Sequence, residues 1–265
     1  METQVKEGKY VYCIIESDRS LSFGPLGIGE RGDKLYTVCF NDIAAVVSDS
    51  PIKSYPISRD NTLAHERAIE EVMKDHTVLP VRFCTIAKDE EKVEKILEKE
   101  HGKLKHLLDG IRGKKELGLK AMFKEEGIYK DILKEYCDIK ILKEKIAALP
   151  PAKTYYQRMK IGELVEQALE EEKRKHKEEI LDTLSPLADD VRINFPYGER
   201  MIINAAFLVK EINEVKFDKK VNDLDVKFGD KIKFKYLGTV PPFNFVNLVI
   251  DLRSSSISAG KGNGS

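Results

Sequence analysis

The strongest constraint on the fold lies between Glu125 and Leu184, where two helical runs are broken once, at Leu149-Pro150-Pro151. In the first run Ile128, Ile132, Leu133, Ile139, Leu142, Ile146 and Leu149 recur at helical spacing and form one apolar stripe. The prolines end it, because proline lacks a backbone donor and disfavours helical geometry in the residue before it. The second run restarts near Tyr155 with Ile161, Leu164, Val165, Ala168 and Leu169. It loses all apolar character from Glu170 to Glu179, then regains it at Ile180, Leu181 and Leu184. A helix polar on every side stands in water or bridges two bodies. The pattern predicts an antiparallel helical hairpin over residues 125–185 with a solvated middle. That middle is about 15 Å long at helical rise, and a mixed α/β domain is expected on each side.

Before the hairpin, Lys9–Glu16, Lys34–Phe40 and Ile43–Ser48 are β-branched and aromatic and read as strands, the last two joined at Asn41-Asp42. A helix from about Asn61 to Asp75 presents Leu63, Ala64, Ala68, Ile69, Val72 and Met73 on one face. Val78–Ile86 reads as a further strand. Asp89 opens a helix with Glu90 and Glu91 in its first turn, where acids suit the helix dipole. Gly113 marks a boundary, and Lys115–Phe123 alternates like a half-buried strand. After the hairpin come strands at Val191–Phe195 and Met201–Val209, a helix over Glu211–Phe228, and a strand over Lys231–Val240.

The fold class expected is therefore α+β with two domains: residues 1–112, and residues 113–253 in ferredoxin-like βαββαβ order with the hairpin in the first helix position. The Ser/Gly-rich tail, residues 254–265, is expected to be disordered.

Composition narrows the function. The chain has 265 residues, enough to bury a sizeable core, and its 45 basic and 45 acidic side chains cancel. A balanced charge exerts no long-range pull on nucleic acid. Cys13, Cys39, Cys84 and Cys137 are far apart in sequence, so no CxxC pair exists and reduced thiols in a cytoplasmic protein are expected. The first residues, METQVKEGK, hold no apolar signal core. No stretch approaches the roughly 20 apolar residues of a membrane span, so no membrane partner is expected. Charge balance and exposed helices permit a dimer without demanding one.

The chemical candidates are few. Gly27, Gly29 and Gly32 match GxGxxG, but a strand follows where a phosphate site needs a helix N-terminus, so a mobile loop is the plainer reading. His65 and His76 lie about 16 Å apart along one helix, too far to share a metal, and His65 reads as a cap or packing residue. His101, His106 and His176 sit on charged helical faces and read as solvated. Asp189-Asp190 reads as a turn before a strand. No nucleophile elbow is present. No catalytic, metal or cofactor site is expected, and the protein reads as a non-enzyme. Arg82, between Val81 and Phe83 on the expected buried strand, has either to point to the exposed face or to find a carboxylate, and reads as a structural ion pair or a partner-docking residue. Lys231–Tyr236 interleaves lysine with aromatics, which admits an RNA-binding alternative, and the glycine loop beside a sheet admits a small-molecule sensor.

Four segments in order resemble the gas vesicle protein GvpF/GvpL family. They are KYVYCII with the later DIAAVVSD, Ala64–Ile86 (AHERAIEEVMKDHTVLPVRFCTI), Gly113–Phe123 (GKKELGLKAMF) and Leu237–Leu248 (LGTVPPFNFVNL). The sequence departs from the family pattern at Cys13 and Cys84, commonly glycine. It departs again at Val240, often tryptophan, and at Phe243, often tyrosine. These departures read as packing substitutions.

The resemblance implies an accessory or minor structural protein of gas vesicle assembly. Such a protein would bind the hydrophobic major shell protein GvpA and other accessory proteins at the gas vesicle. Pro241-Pro242-Phe243 cannot extend a sheet interior and is expected to form a rigid aromatic surface strip. With Arg82 and Phe83 it makes a candidate partner contact area; the alternative is that both segments close their domain cores.

Overall fold

The computed structural model describes residues 6–147, 149–150, 153–246, 248–251 and 256–259. The chain divides into two compact units, residues 1–116 with 239–265, and residues 117–238.

In the first unit, β1 (Glu7–Glu16) is the central strand. It pairs antiparallel with β3 (Ile43–Pro51), which pairs with β2 (Tyr36–Phe40). On its other side β1 meets β4 (Val78–Pro80) and β5 (Ile86–Ala87). Tyr10, Tyr12, Ile15 and Val46 pack with Ala68, Ile69 and Val72 of α1 (Arg59–Met73). Val11, Ile14 and Ala45 lie with Val93, Ile96 and Leu97 of α2 (Glu90–Ile111). A strand covered on both faces has no polar alternation, which is why KYVYCIIE reads as continuously apolar. Ser58 caps α1 through Asn61 N–H and Asp89 caps α2 through Lys92 N–H.

The single strand expected over Val78–Ile86 is interrupted. Pro80 pairs with Cys13, and Ile86 pairs with Tyr10. Val11 and Tyr12 therefore face five residues, Val81 to Thr85. The surplus turns outward at Cys84, whose φ of 63° lies in the left-handed region. That backbone position favours glycine, so the cysteine there sits in a conformation that side chains rarely adopt.

In the second unit, one sheet runs β7 (Asp190–Ile193), β8 (Met201–Lys210), β6 (Lys114–Phe123), β9 (Ile232–Val240). Residues 114–116 of β6 fall within the first unit. Leu117, Leu119, Ala121 and Phe123 share one face of β6 and join Ala205, Phe207 and Val209 of β8 in a core. The core is closed by α3 (Glu125–Glu135), α4 (Cys137–Ala147), α5 (Tyr155–Leu184) and α6 (Glu211–Phe228).

Two expectations about the hairpin are corrected. Its first arm is two helices, broken at Tyr136, whose ψ of 86° leaves the helical region. The polar middle of α5 is not solvated all round. The side chains of Glu172, Lys173 and His176 are only 13, 14 and 15% exposed. Tyr136 donates its hydroxyl to Glu172 at 3.0 Å. The His176 ring meets Phe123 of β6 and Phe228 of α6 edge-on at 5.5 and 4.9 Å. His176, expected on a solvated face, is thus half-buried, and burial holds its pKa below the usual histidine value. Arg174 joins Glu171 and Glu178 along the outer side, where water screens such pairs.

The segment after β9 belongs with the first unit, where the sequence reading put residues 239–253 in the second. Val81 bridges to Leu248 in parallel, and Arg82 N–H donates to the Leu248 carbonyl. Within the tail expected to be disordered, Ser256–Ala259 forms β11, antiparallel to β10 (Leu248–Asp251). The rest of that tail lies outside the described residues. No described helix is long and apolar enough to cross a membrane.

Candidate functional site

The first unit gathers its aromatic and polar side chains around one histidine. Tyr10 and Tyr12 leave β1 on the same face, two residues apart, as strand geometry requires. His65 comes to them from the second turn of α1 and is 3% exposed. The His65 ring lies 5.7 Å from Tyr12, stacked, and 5.7 Å from both Tyr10 and Phe83, edge-on. Phe243 completes the ring at 6.4 Å.

The hydrogen bonds fix the tautomer. Nε2 lies 3.1 Å from the Val81 carbonyl, which can only accept, so Nε2 carries the proton. Nδ1 therefore accepts from the Tyr10 hydroxyl at 3.2 Å, and that hydroxyl oxygen accepts the Cys84 N–H at 2.8 Å. Burial pushes the His65 pKa down to about 4, with the Val81 carbonyl opposing it. The ring is thus neutral at pH 7. Burial likewise raises Tyr10 well above the ordinary phenol value and pushes Tyr12 up to about 12. Tyr12 accepts from Ile28 N–H at 2.8 Å and is bonded to Ser48 at 2.9 Å. The glycine-rich segment around Gly27, Gly29 and Gly32 therefore folds down onto the core, with Ile28 fully buried, and is not the loose loop expected.

A second anchor holds the proline segment. Glu116 is 3% exposed, and its carboxylate accepts from Asn244 N–H at 2.9 Å and from the Asn244 side-chain amide. Burial raises the Glu116 pKa, and the two Asn244 donors oppose that rise. Pro241 and Pro242 are buried. This corrects the expected surface strip: the two prolines pack inward and only Phe243, 37% exposed, reaches the surface.

The expected place of Arg82 on a buried strand is corrected as well. Arg82 is exposed, because the interruption between β4 and β5 carries it off the strand. The structure brings together what the sequence set in separate domains: Phe83 and Phe243 meet the same His65 ring, and Arg82 precedes Phe83 in the chain. Sequence reasoning missed Tyr10, Tyr12, Glu116 and Asn244. The i, i+2 tyrosines on the first strand were the available signal.

The remaining candidates have ordinary surroundings. Asp190 pairs with Arg192 at 2.9 Å and Asp189 with Lys210 at 3.5 Å. His76 packs on Phe23. His101 pairs with Asp42 at 2.6 Å. On β9, Phe234 and Tyr236 face the core, and Tyr236 donates to Asp218 at 2.5 Å. Those aromatics are turned away from any base that could stack on them. Among the described residues no group of three or more His, Cys, Asp or Glu could hold a metal ion.

Comparison with known proteins gives a consistent result. The family model "Gas vesicle synthesis protein GvpL/GvpF" matches residues 8–247. The chain is 27% identical over 247 residues to gas vesicle protein F of Nostoc sp., covering 92% of this chain and 100% of that protein. It is 28% identical over 211 residues to gas vesicle protein F of Dolichospermum flosaquae, covering 78% and 85% respectively. The crystal structure of GvpF from Anabaena sp. superposes with a TM-score of 0.77 at 26% identity, covering 90% of this chain and 98% of that one. GvpF from Microcystis aeruginosa shares the fold, with a TM-score of 0.70 at 24% identity over the same shares. The chain belongs to the gas vesicle synthesis protein GvpL/GvpF family.

Proposed function

We propose that this protein is a non-enzymatic accessory of gas vesicle assembly that binds the major shell protein GvpA and other accessory proteins. The observation that carries the reading is the family match over residues 8–247. That Phe83 and Phe243 meet the same His65 ring, with exposed Arg82 next to Phe83 in the chain, supports a contact area there. Aromatic residues and arginine are enriched in protein-docking sites. Pro241 and Pro242 act by holding Phe243 in place. The strand order β7-β8-β6-β9, with helices after its first and third strands in sequence, supports a ferredoxin-like second unit carrying the helical hairpin as an insertion.

The test is co-purification of the full chain with the shell protein from a host expressing both. Arg82→Ala with Phe243→Ala is expected to weaken retention at least about tenfold, and Arg82→Ala alone, at an exposed position, to weaken it with the thermal midpoint nearly unchanged. Equal retention of the wild-type and variant chains would remove the proposed contact area. No retention of either would remove the shell-binding reading itself.

A further inference from the structure

The strand edge just past β4 is covered by a later piece of the same chain. Val81 bridges in parallel to Leu248, and Arg82 N–H donates to the Leu248 carbonyl at 3.2 Å. Among the described residues no other bridge joins β10 to the sheet of the first unit. The opposite edge of β10 is paired with β11 at four positions, Leu248 to Asp251. The two strands are therefore bonded to each other at more places than to the body they lie on. They follow directly on the turn at Pro242 to Val246, which the Glu116–Asn244 bonds anchor.

Side chains fill the rest of the contact. Leu248 is 1% exposed, and Ile250, two residues on, shares its face. Ile250 lines a void of about 10 Å³ together with Val11, Ala87, Ile96 and Leu97. Every side chain around that void is apolar, and it is no larger than one water molecule. A gap of this kind forfeits dispersion energy that close packing would supply. β11 comes near α2 as well. A two-stranded ribbon has little stability of its own, so what holds the cover is one bridge, two apolar side chains and the flank of α2.

An open strand edge accepts extended chain, and pockets for alternate side chains give it selectivity. The seated segment displays what this edge accepts. It is extended backbone that offers a carbonyl to Arg82 N–H and sets apolar side chains two residues apart. We propose that the Val81–Arg82 edge is a strand-addition site for an extended apolar segment of a partner protein, and that the β10–β11 pair is its displaceable cover. The tether keeps the cover at an effective concentration on the order of 1 mM, so a partner segment has to compete with it. This site goes beyond the shell-binding reading and does not rest on it, because its test contains no shell protein.

The test is amide hydrogen exchange of the full chain at pH 7. Val81 N–H donates to the Tyr12 carbonyl inside the sheet at 2.9 Å, whereas Arg82 N–H depends on the cover. Protection at Arg82 is expected to be at least about tenfold lower than at Val81. A peptide copying residues 245–253 (FVNLVIDLR), added at about 1 mM, should raise protection at Arg82 and lower it across β10, because the peptide takes the place of the cover. The same peptide carrying Leu248→Ser and Ile250→Ser should do neither. Ile250→Ser in the chain itself, at a half-buried position, should tighten binding of the unaltered peptide at least about tenfold. Equal protection at Val81 and Arg82 overturns the proposal, since the cover then does not open. A peptide that leaves Arg82 unchanged in both the wild-type and the Ile250→Ser chains overturns it too, as does an equal response to the serine-bearing peptide.

Discussion

The buried His65 makes stability depend on pH in a way that can be calculated. The ring is neutral in the fold, with a pKa lowered from 6.5 to about 4 by burial. The unfolded chain, with its ring back near 6.5, binds more protons in the window between those values, so stability falls as pH falls through it. At 1.36 kcal/mol per unit the full loss is about 3 kcal/mol, of which about 2 kcal/mol is gone by pH 4.5. Protonation also places an N–H at Nδ1, where Tyr10 now donates, so the hydroxyl has to turn away from the ring.

The comparison protein is His65→Gln, which does not titrate. Urea unfolding at pH 7 should show it less stable by about 3 kcal/mol, from lost hydrogen bonds and ring contacts. At pH 4.5 the gap should close by about 2 kcal/mol. Every other titrating group, including His176 with the same sign and Glu116 with the opposite one, is shared by both proteins and cancels. A gap that stays constant from pH 7 to pH 4.5 would refute the buried neutral ring.

Four further outcomes are expected. Glu116→Ala strips both acceptors from Asn244 and should cost about 2–3 kcal/mol in denaturant unfolding, with increased proteolysis near Pro241. Gly8→Ala would place a Cβ 2.5 Å from the Ala87 carbonyl oxygen and 2.7 Å from Ile52, so a loss of about 1–3 kcal/mol is expected by thermal melting. Cys84→Gly should change stability by less than about 1 kcal/mol, because relief at φ 63° offsets the lost sulfur contact, whereas Cys84→Val should be clearly destabilised. With a thiol reagent on the native protein, exposed Cys137 should be labelled long before Cys13, which is fully buried and whose thiol burial pushes far up.

Local pattern carried most of the elements and little of the site. The helix over Glu211–Phe228 is found at the expected bounds, because its apolar period and flanking strands leave few alternatives. The alternation of Leu117, Leu119, Ala121 and Phe123 likewise shows which face of β6 is buried. The break at Tyr136 was hidden, since the helical spacing of Ile128 to Ile146 continues across it without a proline or glycine. The burial of Glu172 and His176 was hidden for a different reason: both look solvated in sequence and are covered by distant residues. The site itself joins residues 10, 65, 83 and 243. Pairing over such separations leaves no periodic trace, so Phe83 and Phe243 read as members of separate domains.

The course of the chain through its first unit sets an order of events during synthesis. Glu116 and Arg82 are made before the stretch 117–238, yet Asn244 and Leu248, which engage them, leave the ribosome after it. The stretch from 117 to 238 is complete before them and can fold while the earlier stretch still waits for its closing residues. A nascent chain stalled before Pro241 would thus hold a finished insert inside an unfinished host.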